Sequence, residues 1–393
     1  MRILIILLSV FAVSPAFSQP IPLTADSHIS VITFGPYQEE LYSAFGHSAI
    51  RVHDPHLGID IAYNYGVFDF DQPNFYLNFA RGFLYYKLGT YSYPLFRDYY
   101  ISDNRYVHEQ ILDLTSEQKQ KVADYLQWNA KPENQNYVYD YFYNNCATKV
   151  RDVFTEVFKK EIIFDDTYAS STQYTVRDLT HSYLRYQPWG ELGIEICLGL
   201  PMDRKLTPYQ YMFIPDYIES AFDHASLNGS PIVKKKVITY ESVPEALSKQ
   251  WFTPLAVFSC VLLLAIGLTV LDWKRKKSST WFDVILFSIT GLIGFLLIFL
   301  WFFTDHQAAS PNLNLLWALP TNFIAALLLL KKKIPLWLGR YFMVVTIIAN
   351  LTLFSWVFLP QQLNFYLVPL VIAVVVRSIW NYLFAFETLF ISE

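Results

Sequence analysis

The chain has 393 residues, 53% hydrophobic and 18% aromatic, with 30 basic against 34 acidic side chains and a formal net charge of −4. A mean hydropathy of +0.24 with only 16% charged residues departs from soluble globular chains, where about 25% are charged. A basic nucleic-acid binder and a disordered chain are both excluded. The charge is unevenly spread: residues 254–393 carry nine basic and five acidic groups, and residues 1–253 carry 21 and 29. An acidic part of net −8 therefore precedes an apolar part of net +4.

Residues 1–18 read as a secretory signal peptide. Arg2 supplies the positive start, residues 3–13 form an apolar run of 11, and Ala16-Phe17-Ser18 is a small-x-small cleavage site. Eleven residues are too few to cross about 30 Å of hydrocarbon. The exported domain then spans 19–250. HISVITFG (28–35) is β-rich, and FGHSAIRVH (45–53) with GIDIAYNYG (58–66) predicts a hairpin around the turn-forming DPHL (54–57). A loop at 54–57 pairs Arg51 with Asp60, Ala49 with Ala62 and His47 with Asn64, all on one face, with Ile50, Val52, Ile59, Ile61 and Tyr63 on the other. Residues 114–129 predict a helix with a Thr115/Gln118 capping box. YVYDYFY (137–143) alternates as a strand, and residues 146–160 form an amphipathic helix capped by Asn144 or Asn145. Strands and helices without regular βαβ alternation indicate an α+β domain.

Five apolar segments follow, near 254–271, 284–303, 313–330, 337–358 and 364–386, giving an all-α transmembrane domain of five helices over 254–390. Lys274-Arg275-Lys276-Lys277 and Lys331-Lys332-Lys333 share one side, whereas loops 304–312 and 360–364 carry no Lys or Arg. Retention of positive charge inside places residues 19–253 outside the membrane and the C-terminus in the cytoplasm.

Cys146 opens a helix, where free N–H groups and the dipole favour a thiolate and lower the thiol pKa. A His to carry the proton and an Asn to orient it would complete a Cys-His-Asn thiol acyl-transfer site, with Cys146, His47 and Asn64 as candidates and the Cys146 N–H as an oxyanion donor. The alternatives at this level are a buried Cys, a satisfied His and a capping Asn, or a Cys146–Cys197 disulfide in an oxidising compartment. Asp305 and His306, at headgroup depth, and Arg377, inside the fifth span, are candidate substrate-binding residues. His47 and His53 lie about 20 Å apart along an extended strand and cannot share an ion. No metal site and no cofactor is expected.

The segments FGHSAIRV (45–52), IAYNYGVFDF (61–70), PNFYLNFARG (73–82) and YNNCATKVRD (143–152) resemble the Lnb N-terminal periplasmic domain family. That family is similar in layout to the permuted papain-like NlpC/P60 and lecithin:retinol acyltransferase group, with the His on an early strand and the Cys opening a later helix. FFTDHQAASPNLNLLWALP (302–320) resembles the polytopic half of the same family. The resemblance implies a permuted papain-like domain, a nucleophile at Cys146 and an acid/base at His47. It also implies a lipoprotein N-acyltransferase of the bacterial inner membrane, with a phospholipid acyl donor and a diacylated lipoprotein acceptor. A phospholipase and an NlpC/P60-like cell-wall peptidase are the alternative activities.

Overall fold

The structure, a computed structural model, describes residues 22–243, 250–331 and 335–390. The expected leader at 1–18, and Lys332 and Lys333 of the second basic loop, lie outside these residues. In chain order the first half forms β1 (His28–Phe34), β2 (His47–Asp54), β3 (Ile59–Val67), α1 (Phe75–Arg81), β4 (Leu84–Ser92), α2 (Tyr93–Ser102), β5 (Val107–Leu112), α3 (Ser116–Asn129), β6 (Asn136–Tyr139) and α4 (Cys146–Phe158). It continues through β7 (Ile162–Phe164), α5 (Val176–Leu184), α6 (Pro188–Cys197), α7 (Pro208–Tyr211), α8 (Pro215–Asp223), β8 (Ala225–Leu227), β9 (Ser230–Pro231) and β10 (Val233–Tyr240).

Seven strands make one antiparallel sheet in the order β10-β5-β1-β2-β3-β4-β6, and β7, β8 and β9 make a small second one. The central strand β1 is buried on both faces, which explains its unbroken apolar run. Ile29 and Val31 join a core with Val122 and Leu126 of α3, Val150 and Phe154 of α4, and Ile218 and Phe222 of α8. Ile32 and Phe34 face the other way, onto Ala49, Ala62 and the α2 residues Tyr93 and Tyr100. Helix α3 starts at the expected Thr115/Gln118 capping box.

The β2–β3 hairpin keeps the expected faces but not the expected register. Arg51 stands opposite Ala62 and His53 opposite Asp60, a displacement of two residues. Two local features move the turn to 55–58. The Asp54 carboxylate accepts the N–H groups of His56 and Leu57 and also binds Thr24, so Asp54 closes the strand. Gly58 then takes the left-handed position (φ +66°) that a side chain would strain. A shift of two preserves side-chain parity, so the Arg51–Asp60 ion pair forms diagonally at 2.7 Å.

The second half contains α9 (Pro254–Arg275), α10 (Thr280–Phe302), α11 (Thr321–Leu329), α12 (Leu336–Ser355) and α13 (Val368–Phe390). Four helical stretches among the described residues are long and apolar enough to cross a membrane: Pro254–Arg275, Thr280–Phe302, Leu336–Ser355 and Phe365–Phe386. The third expected span is not a continuous helix. It is a 3-10 turn at Leu313–Leu316, a break at Pro320 and the nine residues of α11. Pro320 has no N–H to continue a helix through the break. Gly291 and Gly294 of α10 lie so close to Phe323 and Ala318 that a Cβ at either would collide, so this broken segment packs directly on the α10 backbone. Asn322 bridges helices, bonding Thr290 of α10 and Tyr341 of α12. Asn381 bonds both the Arg377 carbonyl of its own helix and Asp283 of α10, whereas Asn350 bonds back to the Thr346 carbonyl of its own helix.

Candidate active site

Three backbone devices converge where β2 begins and β3 ends. Gly46 turns at φ +83°, with its Cα against the Phe34 carbonyl, and delivers His47 as the first residue of β2. In β3 a bulge falls between Asn64 and Val67, and Gly66 within it takes φ +96°. That backbone angle, which a side chain would strain, is what calls for glycine here, and the position lies in ordinary contact range of Cys146 Cβ, 3.8 Å from where a Cβ would stand. The third device is the cap of α4. Asn145 accepts the Thr148 N–H at 3.0 Å, Thr148 Oγ1 accepts the Asn145 N–H at 2.7 Å, and Asn145 Nδ2 donates to the carbonyls of Tyr141 and Phe213.

His47 Nε2 and Asn64 Oδ1 are 2.6 Å apart. An amide oxygen only accepts, so Nε2 carries the proton and Nδ1 is left as the basic nitrogen. The His47 ring stacks on Tyr100 (centroids 5.9 Å, planes 10° apart) and lies near Phe34 and Phe96. Desolvation by these neighbours pushes the imidazole down to about 4, against the smaller raising effect of the Asn64 bond. The residue as a whole is half-buried.

Cys146 is 8% exposed and unpaired, as are Cys197 and Cys260. The backbone N–H groups of Ser48, Ala147 and Cys146 itself face its sulfur, and Ser48 follows His47 at the start of β2. The thiol differs from the sequence expectation in one respect. Burial raises its pKa, and the three N–H groups and Arg105 offset only part of that rise. A raised thiol and a lowered imidazole both favour the neutral forms of the two groups.

Arg105 had no signal in the sequence. It follows α2 through a left-handed Asn104 (φ +54°), donates from Nε to the Gly35 carbonyl at 2.7 Å and lies 4.5 Å from the centre of the Tyr100 ring. Of the other expected site residues, Asp305 and His306 stand where the two halves meet. The Asp305 N–H donates to the Arg81 carbonyl at 2.9 Å, and His306 Nε2 donates to the Phe79 carbonyl at 3.1 Å, tying the outer end of α10 to α1. Arg377 does not join the group. It is fully buried and spends its nitrogens on Asp283, Asp272 and Thr269, clamping α13 to α9 and α10 beside the basic loop. It is an ion-pair centre rather than an open anion-binding group.

Among the described residues, His181, Glu191 and Glu195 could in principle hold a cation, their ligand atoms lying within 4.8 Å of one another. Asn364 of the membrane half already donates to both carboxylates, at 3.2 and 2.6 Å, so the group works as a joint between the halves. A polar depression beside α4, lined by Tyr65, Lys149, Arg151 and Asp152, includes neither His47 nor Cys146.

No match was found among curated proteins or among solved structures. Family models do match: residues 23–182 match the Lnb N-terminal periplasmic domain and residues 246–388 the Lnb transmembrane domain. The two models cover most of the chain in the order in which its sheet domain and its apolar helices occur. The chain therefore belongs to the Lnb family, as a membrane-bound lipoprotein-modifying enzyme that crosses the membrane several times and carries its N-terminal domain in the periplasm.

Proposed function

We propose that this protein is a thiol acyltransferase of the bacterial inner membrane that moves an acyl chain from a phospholipid, through a thioester on Cys146, to the α-amine of a diacylated lipoprotein. In this reading residues 1–18 are a cleaved leader, 19–250 the periplasmic domain and 254–390 the transmembrane domain. The observation that carries it is an Asn64-oriented His47 next in the chain to Ser48, whose N–H faces the sulfur of the helix-opening Cys146, with Arg105 facing both groups. In the first half-reaction His47 Nδ1 takes the thiol proton as sulfur attacks the ester carbonyl. The alkoxide then leaves as lysophospholipid, carrying that proton away. In the second, a neutral amine attacks the thioester and gives its proton to His47. The expelled thiolate recovers the proton, and an amide remains.

Two further features favour transfer over hydrolysis and a lipid donor. The nearly closed surroundings of Cys146 limit water at the thioester. Helix α1 exposes Tyr76 (75%) and Leu77 (56%) beside the outer end of α10, an apolar surface at the level where lipid headgroups begin. Asp305 and His306, adjoining α1, would meet the donor headgroup or the incoming amine.

The test incubates the protein in membranes with a diacylated lipopeptide and a phospholipid labelled in its acyl chains. Label should appear in amide linkage on the lipopeptide, and Cys146→Ser or His47→Ala should reduce that product to background. Free fatty acid without amide would establish a phospholipase instead. Full amide formation by either variant would remove the site assignment.

A further inference from the structure

Arg105 is a buried cation with part of its hydrogen-bonding capacity unspent. It is 3% exposed, and although Nε is fixed on the Gly35 carbonyl, Nη2 is buried without a hydrogen-bond partner among the described residues. A buried guanidinium without an ion-pair partner is costly, because burial penalises the charged form. The charged and titratable groups that face it are Tyr99 and Tyr100 of α2, Asp103, Cys146 and His47. Asp103 follows α2, while Tyr100 presents its ring face to the guanidinium and stacks on His47 along its other contacts. Cys146 in turn faces Tyr100, Arg105, and Tyr137 and Tyr139 of β6. Burial keeps these tyrosines protonated, so none of them supplies an anion.

We infer that Arg105 is a positioning residue for the anionic states of the site: it balances the charge of the Cys146 thiolate, and of the oxyanion that forms on the ester carbon, from a guanidinium fixed by Gly35 and Tyr100. The inference rests on Cys146 being the nucleophile. When the thiol proton passes to His47 Nδ1, the negative charge left on sulfur is met by the three backbone N–H groups and by a cation that needs no reorganisation. The chemical class recognised is thus an internally generated anion, sulfur first and carbonyl oxygen second.

The experiment uses the full-length protein in detergent with Cys197→Ser and Cys260→Ser, leaving one alkylatable thiol. The rate of iodoacetamide alkylation is measured against pH. Arg105→Gln should displace the profile upward by about one pH unit, about tenfold slower at pH 8, with the same high-pH plateau. Arg105→Lys, which keeps the charge, should follow the parent profile. A parent-like profile in a folded Arg105→Gln protein overturns the inference. Should Arg105→Gln fail to fold, an upward displacement in Arg105→Lys as large as one unit overturns it, and a parent-like profile supports it. The readout needs no acyl transfer, so failure of the acyltransferase reading would show separately, as absent amide product.

Discussion

At the scale of single residues, the site depends on holding one tautomer of one histidine. Asn64 accepts from His47 Nε2, and without it the ring can turn and present N–H rather than a lone pair to the thiol. Asn64→Ala should therefore cut kcat for amide formation by about 10²-fold with little change in the KM for phospholipid, measured by steady-state kinetics in mixed micelles. The desolvated imidazole sets the pH dependence. His47 is pushed from 6.5 down to about 4, so an unfolded chain takes up a proton below 6.5 that the folded site refuses. Stability contributed by this group is intact above 6.5 and is lost as pH falls from there toward 4. For the chemistry the same shift keeps His47 neutral and basic in mild acid. Thioester formation from phospholipid should persist at pH 5, whereas amide formation should fall below the α-amine's pKa of about 8. Single-turnover measurements of the two half-reactions separate these limbs, and a common acid limb near 6.5 would contradict the desolvated histidine.

Among elements, α4 does more than carry Cys146. Asn145 caps it, and the same side chain donates to Tyr141 and Phe213, so the start of the helix is pinned to two loops at once. Asn145→Ala should lower stability by about 1–3 kcal/mol, more than an exposed cap, and should also slow thioester formation because the first turn presents the sulfur. Thermal unfolding and a thioester assay check the two parts, and a destabilised protein with parent-like thioester formation would separate the cap from the chemistry. Such local devices are also what a sequence displays well. The Thr115/Gln118 box, the Asn145-Cys146 helix start and the alternating faces of β2 and β3 depend on neighbours within a few positions, and each was readable. What escaped depended on distance or on averaging. The hairpin slipped by two because the Asp54 carboxylate binds Thr24, 30 residues away. Arg105 sits in an unpatterned stretch, and its place beside Cys146 and His47 is set by Gly35 and Tyr100, distant in the chain or a turn away on α2. The third apolar segment averaged to a span in composition, yet Pro320 and the buried Asn312 and Asn314 break it.

For the molecule as a whole, the placing of the site relative to the bilayer depends on a polar seam between the halves. The Gly199 N–H donates to Ala308 and the Leu200 N–H to Pro311, both at 2.7 Å, and Gly199 admits this approach because a Cβ would strike the Pro311 carbonyl. At the seam's centre, fully buried Gln361 donates to the Leu198 carbonyl and to Asn312 Oδ1, and accepts the Leu313 N–H at 2.7 Å. Asn312 in turn reaches the Ile196 carbonyl at 2.8 Å, and Asn364 reaches Glu191 and Glu195. These bonds join the end of α6 and the loop after it to the two outer loops of the membrane half, the same halves that meet at α1 and His306. Two separate fastenings thus join the periplasmic domain to the membrane half. Gln361→Ala would take the acceptor from the Leu313 N–H, while the Leu198 carbonyl keeps Arg177, costing about 1–3 kcal/mol at the seam. Because the seam is remote in the chain from the β2–α4 site, the pH profile of Cys146 alkylation should stay unchanged in this variant. Transfer from bilayer phospholipid to the lipopeptide should nevertheless drop, since a lipid donor must meet a sulfur held at the right height. Parent-like amide formation in liposomes, together with a lowered melting temperature, would mean that the seam stabilises the molecule without setting its catalytic geometry.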